Sequence, residues 1–139
     1  MSDKINPFEK KKKGVFFFKS SNPYEFYDLL NGKNMDDKQD VWGTLIFPEN
    51  AKKPCPLIIP IHGSAGLREG HHTHMVNLLD AGFAIFRIHH FESRGVISIV
   101  ENQTEVTLAS MITDAFRALT LVSKPVSYTH LRAHETYDH

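Results

Sequence analysis

A loop of small residues beside a histidine is the part of this sequence with the clearest potential for chemistry. The run from His62 to Gly66 (HGSAG) directly follows an uncharged apolar segment. Glycine lets a ligand come close to the main chain, and free N–H groups at the start of a following helix favour an anion. We therefore expect the backbone of this loop to face a negatively charged group.

Two side chains of the loop suggest further chemistry. A base could activate the hydroxyl of Ser64 as a nucleophile, and the ring of His62 could act as a general base. Nothing in the sequence places a base beside Ser64, so we interpret Ser64 as a turn residue. A histidine at such a position more often hydrogen-bonds to hold a loop, and we assign that supporting role to His62.

Two buried strands and a helix are predicted around the loop. The apolar segments 56–61 and 83–88 have the length and the Pro or Gly boundaries of strands buried on both faces. Residues 67–81 between them have apolar residues at helical spacing, and Gly82 occupies the place of a left-handed C-terminal cap. This order predicts a right-handed βαβ unit with a parallel sheet.

A further strand and a long helix complete the predicted body. Residues 41–47 are rich in β-branched and aromatic residues, and a short turn should pair them with 56–61 as an antiparallel hairpin. Asn102 and Glu105 have the spacing of a capping box at the start of a helix that Pro125 ends. The apolar stripe of this helix is predicted at Leu108, Ile112, Ala115, Phe116, Leu119 and Val122.

The loop after the strand at 83–88 should lie on the same edge of the sheet as the first loop. We name four of its residues as candidates for a substrate pocket: His89, His90, Phe91 and Arg94. Two interpretations of Arg94 stay open. Its guanidinium could bind a carboxylate substrate as a bidentate fork, or it could tie down its own loop.

A histidine cluster near the start of the helix at 67–81 suggests a metal. His71 and His74 would share a helix face with His72 beside them, and three ring nitrogens can hold zinc when they converge. A polar helix start near solvent also explains the cluster, and we favour that interpretation over a zinc site. We predict no metal and no cofactor. The alternative is a non-catalytic binding or metal-binding module that uses His71, His72 and His74.

The C-terminal segment departs from the rest of the chain. After the long helix such a fold needs another buried strand, but residues 126–136 have neither an apolar run nor strand alternation. They closely resemble a translated sequencing-library adapter, so we expect native sequence to end near Pro125. The predicted organisation is an irregular arm at 1–40, a body at 41–125 and a non-native tail at 126–139.

Composition excludes several classes of function. Lys and Arg total 16, as do Asp and Glu, so the formal net charge of zero predicts no general affinity for nucleic acid or an anionic membrane. A single cysteine excludes an internal disulfide. No apolar segment approaches the ~20 residues of a membrane span, and no signal-peptide pattern opens the chain, so we expect a cytoplasmic protein.

Several segments of the body occur in a suggestive order and spacing. They are IHGSAGL at 61–67, LLDAGFA at 78–84, FESRGV at 91–96, and VENQ at 100–103 followed by MITDAFRAL at 111–119. Together they resemble the N-terminal part of α/β-hydrolases, and more narrowly the dienelactone hydrolase family. The resemblance implies a truncated α/β-hydrolase fold: an N-terminal hairpin, a βαβ unit and a long helix, with the sheet incomplete.

The resemblance also implies a chemistry. Such enzymes hydrolyse small-molecule esters or lactones with a Ser or Cys, Asp and His triad and need no cofactor. By family position the backbone N–H of Ser64 belongs to the oxyanion hole, with Gly63 giving the loop freedom. The chain has no Gly-x-Ser-x-Gly or Gly-x-Cys-x-Gly motif. We therefore expect an enzyme for the parent protein and no activity for this chain.

Overall fold

A four-stranded mixed sheet forms the centre of the protein in a computed structural model that describes residues 13–52 and 54–123. A single turn of 3-10 helix at Glu92–Arg94 precedes the last helix. The predicted adapter-like tail at 126–139 lies outside the described residues. In chain order the elements are β1 (Lys13–Ser20), α1 (Phe26–Asn31), β2 (Gln39–Ile46), β3 (Leu57–Ile58), α2 (Glu69–Asp80), β4 (Ala84–Ile88) and α3 (Leu108–Ser123).

The strand order is β1-β2-β4-β3, with β2 antiparallel to both of its neighbours. The predicted hairpin between 41–47 and 56–61 is therefore wrong, because β4 lies between these two segments. Packing gives a reason for this pairing. A Cβ atom at Gly43 of β2 would lie 2.6 Å from Cζ of Phe86 on β4, so the missing side chain makes room for the Phe86 ring.

The predicted parallel βαβ unit is confirmed. β3 and β4 pair in parallel, with Leu57 opposite Ala84 and Ile58 opposite Ile85, and α2 connects them. β3 has two residues instead of the six expected. Pro56 and Pro60 lack an N–H donor, so neither residue can extend the ladder at its end through that group.

The two long helices cover opposite faces of the sheet. Met75 and Leu79 of α2 pack in one cluster with Ile85 of β4. Ala118 of α3 packs in another cluster with Phe86, the next residue of β4. Because successive residues of a strand point to opposite faces, the two clusters lie on opposite sides of the sheet.

The start of α3 differs from the prediction. Asn102 caps a turn by accepting the N–H of Thr104 at 3.1 Å, and the helix begins six residues later at Leu108. Thr107 is the residue that caps it, because its Oγ1 accepts the N–H of Ser110 at 3.1 Å. The helix therefore starts within the Thr-x-x-Ser sequence at 107–110 and not at Asn102.

The predicted apolar stripe of α3 is buried only in part, because Ala115 and Val122 pack against the cluster of Ala118 while three other members do not. Leu108, Phe116 and Leu119 are 54%, 58% and 50% exposed. The residues that turn inward include two polar ones, Thr113 and Asp114, both fully buried. A hydrophobicity pattern places polar residues outside, so it misses the inward positions of Thr113 and Asp114, where the interior contains hydrogen-bonded polar groups.

Residues 13–40 belong to the same body as the rest of the described chain. β1 pairs with β2 along its whole length, from Lys13 opposite Ile46 to Ser20 opposite Gln39. Residue 41 is thus no structural boundary, and the expected irregular arm contains a strand and the short helix α1. None of the helices in the described ranges has the length and apolar character needed to cross a membrane.

Candidate functional site

Two loops meet at the carboxyl ends of the parallel strands. The loop after β3 carries His62, and the loop after β4 carries His90 and Phe91. The His62 ring lies edge-on to the Phe91 ring, with centroids 4.5 Å apart, and edge-on to the His90 ring at 5.4 Å. The structure thus brings together two of the predicted pocket candidates and the predicted loop support, at the edge where open α/β sheets bind ligands.

Two backbone carbonyl groups fix the first loop. The Gly63 carbonyl accepts the N–H of Gly66 at 3.0 Å and lies 2.9 Å from Nδ1 of His62. The Ser64 carbonyl accepts the N–H of Ile99 at 2.9 Å and the hydroxyl of Ser98 at 3.2 Å. Within 13–52 and 54–123 the N–H of Ser64 has no acceptor. The loop is therefore held by its carbonyls while this donor stays free.

Glycine is required at one end of this loop and not at the other. Gly66 has a φ of +83°, and a Cβ there would lie 3.3 Å from the carbonyl oxygen of Ile97. Gly63 lies outside the left-handed region, and a Cβ there would meet nothing within 4 Å. The backbone conformation that requires glycine is thus found at Gly66 and not, as expected, at Gly63, where a side chain would have space.

The position of His62 suits the predicted role of loop support. Burial lowers the pKa of this ring below 6.5, outweighing the opposite effect of the hydrogen bond to Gly63. At neutral pH the ring is therefore uncharged, and Nδ1 is the nitrogen that donates to the Gly63 carbonyl. A hydrogen bond of this kind orients the ring and the carbonyl together.

A buried charged cluster lies beside the two loops, and the sequence prediction did not include it. Asp114 in the middle of α3 is its acceptor. The carboxylate accepts both terminal nitrogens of Arg94, at 2.8 and 2.9 Å, Nδ1–H of His90 at 2.7 Å, and the hydroxyl of Ser20 at 2.5 Å. The cluster therefore joins β1, the loop after β4 and α3 at one point.

The charge of Asp114 is well compensated. Burial alone would raise the pKa of its carboxyl group, but the hydrogen bonds from Arg94 and His90 lower the pKa below 3.8. Four hydrogen bonds to one buried carboxylate agree with an ionised group, because a buried charge is costly unless it is paired and hydrogen-bonded. The sequence carried no clear signal for this carboxylate, because polar residues such as Thr113 and Arg117 stand near it in the same helix.

Arg94 takes the second of its two predicted roles. Besides Asp114, its guanidinium donates to Oδ1 of Asn22 at 2.7 Å, the carbonyl of His90 at 3.0 Å and the carbonyl of Ser21 at 3.3 Å. The carboxylate that its fork binds belongs to the chain itself. Arg94 therefore ties its own loop to α3 and to the end of β1.

His89 and His90 are neighbours in sequence but have separate surroundings. His89 stacks on Trp42 with ring centroids 3.6 Å apart, and its nitrogens lie 3.0 Å from Oγ1 of Thr44 and 3.1 Å from Oε2 of Glu92. Burial lowers its pKa below 6.5 despite the hydrogen bond with Glu92. Of the two predicted pocket histidines, only His90 contacts the ring of His62.

One of the three histidines near the start of α2 has a local backbone partner. Nδ1 of His71 accepts the N–H of Arg68 at 3.0 Å, which satisfies a backbone donor at the helix start. Burial lowers the pKa of His72. Across 13–52 and 54–123 no group of three or more His, Cys, Asp or Glu is placed to hold a metal ion. The geometry of these residues therefore gives the metal-binding alternative no support.

A surface depression of about 380 Å³ lies away from the two loops. Its lining includes Pro56 before β3 and Gly82 before β4, together with residues 48–52. It therefore lies at the amino ends of the parallel strands, opposite the edge where such sheets bind ligands.

Comparison with known proteins adds no relative from which a role could be transferred. The chain matches no protein-family model and no curated protein. Function must therefore be argued from the geometry of the loop after β3 and the groups that hold it.

Proposed function

We propose that this chain is the N-terminal half of an α/β-hydrolase that cleaves ester or lactone bonds, with residues 62–66 as its oxyanion loop. One observation carries the proposal. The N–H of Ser64 has no acceptor among the described residues, while hydrogen bonds to the Gly63 and Ser64 carbonyls hold the loop around it. A fixed and unpaired N–H group is what a developing oxyanion needs.

The topology of the sheet supports this proposal. β4 already has a neighbour on each side, and among the described strands β3 pairs with β4 alone. Parallel crossovers are right-handed, and α2 and α3 lie on opposite faces, so the two crossovers should move in opposite directions from β4. A strand following α3 would then join the free edge of β3. The loop after β3 would lie at the point where the strand order reverses, the usual ligand crevice of such sheets.

The proposed chemistry assigns the loop one part of an acyl transfer. A nucleophile attacks the carbonyl carbon of the ester, and the carbonyl oxygen takes the electron pair as an oxyanion. The N–H of Ser64 would stabilise that charge, and loss of one such donor costs about 3–4 kcal/mol of transition-state stabilisation. The nucleophile, acid and base must come from sequence that this chain does not contain.

The test begins with an independent read of the gene across the codons for residues 124–139. If the frame continues to a Gly-x-Ser-x-Gly or Gly-x-Cys-x-Gly motif, the extended protein is expressed with two substitutions at position 64. Ser64→Pro removes the N–H and should lower kcat/KM about 10²–10³-fold, while Ser64→Ala keeps the N–H and should stay within a few-fold of the original. A similar loss in both variants would instead point to the hydroxyl.

The chain by itself provides a second test. We expect purified chain to hydrolyse an activated aryl ester no faster than a heat-inactivated sample. Turnover that disappears in Ser64→Ala would make Ser64 a nucleophile and would contradict the proposal. A read that ends in a genuine stop codon after His139 would also contradict it.

A further inference from the structure

We propose that His90 is a positioning residue, through which the buried carboxylate of Asp114 orients His62 and thereby the loop at 62–66. The role of this loop in catalysis rests on the proposed function. The orientation of His62 by Asp114 through His90 concerns only residues of this chain. Three successive contacts carry the proposal. They run from Asp114 to His90, from His90 to His62, and from His62 to Gly63.

The first contact fixes the tautomer of His90. Asp114 is an acceptor because its carboxylate is ionised, so the nitrogen 2.7 Å away, Nδ1, must bear the hydrogen. When the ring bears a single hydrogen, that hydrogen is therefore on Nδ1, and Nε2 carries a lone pair. This atom is buried and has no hydrogen-bond partner among the described residues.

That unpartnered nitrogen argues against a role in packing alone. A buried polar atom without a partner destabilises the fold, and phenylalanine would fill similar space without that cost. Histidine at position 90 is therefore explained by its hydrogen bond to Asp114, which sets the plane of the ring.

The second contact transfers this orientation to His62. The planes of the His90 and His62 rings meet at 83°, with centroids 5.4 Å apart. The Phe91 ring supports His62 from a second direction, at 71° and 4.5 Å. Two rings from one loop thus form a corner that holds the His62 ring.

The third contact reaches the backbone of the loop. Nδ1 of His62 donates to the Gly63 carbonyl at 2.9 Å, and the same carbonyl accepts the N–H of Gly66 at 3.0 Å. These two donors determine the direction of the peptide group between Gly63 and Ser64. That peptide group contains the free N–H of Ser64, so a rotation of the His62 ring would redirect it.

The experiment uses the chain labelled with ¹⁵N and three single variants. His90→Phe keeps a ring and removes the hydrogen bond to Asp114, and His90→Asn keeps a donor and removes the ring. His89→Phe is the matched control, because it alters the neighbouring histidine, whose ring stacks on Trp42. Side-chain ¹⁵N shifts give the tautomers of His62 and His90, and amide exchange of Gly66 reports on the turn, with Leu45 of β2 as the reference for global opening.

The expected result is an Nδ1–H tautomer for His90 in the original chain. Both variants at position 90 should speed amide exchange of Gly66 relative to Leu45 at least ten-fold and shift the Ser64 amide signal. The variant at position 89 should leave this ratio unchanged.

Two outcomes would overturn the proposal. The first is an Nε2–H tautomer of His90 in the original chain, which can be read whether or not the variants fold. The second is wild-type exchange of Gly66 and a wild-type tautomer of His62 in His90→Phe. Neither readout requires turnover, so a parent protein without hydrolase activity would contradict the proposed function and leave this coupling standing.

Discussion

Arg94 binds both carboxylate oxygens of Asp114, at 2.8 and 2.9 Å, across 20 residues of chain. The Arg94 side chain is 6% exposed and that of Asp114 is fully buried. A bidentate pair of this kind fixes direction as well as distance, because two parallel N–H···O bonds resist rotation. The loop after β4 is therefore held to the middle of α3 in one orientation.

Removing the carboxylate of this pair should be costly. Asp114→Ala leaves a buried guanidinium without its counter-charge, and we expect the free energy of unfolding to fall by about 3–5 kcal/mol. Urea denaturation followed by circular dichroism measures the change. The control is Arg117→Ala on the same helix, whose partner Asp37 is 45% exposed at its side chain, and which should cost no more than about 1 kcal/mol. Equal effects of the two variants would contradict the prediction.

Stability should decline in acid over two separate ranges. Burial lowers the folded-state pKa of His62 and His89 below 6.5, so the unfolded chain binds these protons more readily and stability falls as pH drops through that range. The pKa of Asp114 lies below 3.8, so its contribution is complete above that value and is lost as pH falls further. Urea midpoints between pH 7.5 and 3 test this. His89→Phe should weaken the first decline, and no change between pH 7 and 5 would disprove the assignment.

Two glycines of one loop should respond differently to alanine. Gly66→Ala forces a side chain into the left-handed region beside the Ile97 carbonyl, and we expect a loss of about 1–3 kcal/mol. Gly63→Ala meets open space at an ordinary φ and should be close to neutral. Denaturation midpoints of both variants decide the matter, and a larger loss at position 63 would refute the described turn.

The two faces of α3 can be distinguished by truncation. Met111 is 2% exposed, and Met111→Ala should cost about 2–5 kcal/mol because it opens a cavity. Phe116 is 58% exposed, so Phe116→Ala should cost less than about 1 kcal/mol despite the larger side chain. A larger loss of stability for Phe116→Ala than for Met111→Ala, in thermal or urea unfolding, would support the stripe predicted from the sequence.

Local sequence patterns identified most of the strands and helices, but they did not identify which strands pair with each other. The segments at 41–47 and 83–88 are strands and 67–81 contains a helix, because apolar periodicity and Pro or Gly boundaries act over a few residues. The placement of β4 between β2 and β3 depends on contacts such as that of Gly43 with the Phe86 ring, 43 positions apart in the printed sequence. No local pattern contains such a contact.

The sequence predicted where the candidate site lies, but it did not predict the hydrogen bonds that hold the site together. Strand ends and small residues point to 62–66, and the chain order brings the loop after β4 to the same edge. The partner of Arg94 could not be identified from the sequence, because any of the 16 acidic residues had the required charge. Burial of Asp114 depends on the orientation of α3, which the apolar pattern of the helix misrepresents.

The hydrogen bonds to α3 also determine when this chain can reach its final state. Ser20 binds Asp114 across 94 residues, and Thr107 binds the Pro23 carbonyl across 84. Pairings so distant in sequence slow folding, because closing a longer loop costs more conformational entropy before the contact can form. During synthesis from the N-terminus, β1 and the loop after β4 emerge before their shared acceptor exists. A nascent chain that has not yet produced α3 therefore carries Arg94 and His90 with no carboxylate at position 114 to receive them, and only the arrival of that helix completes the interior.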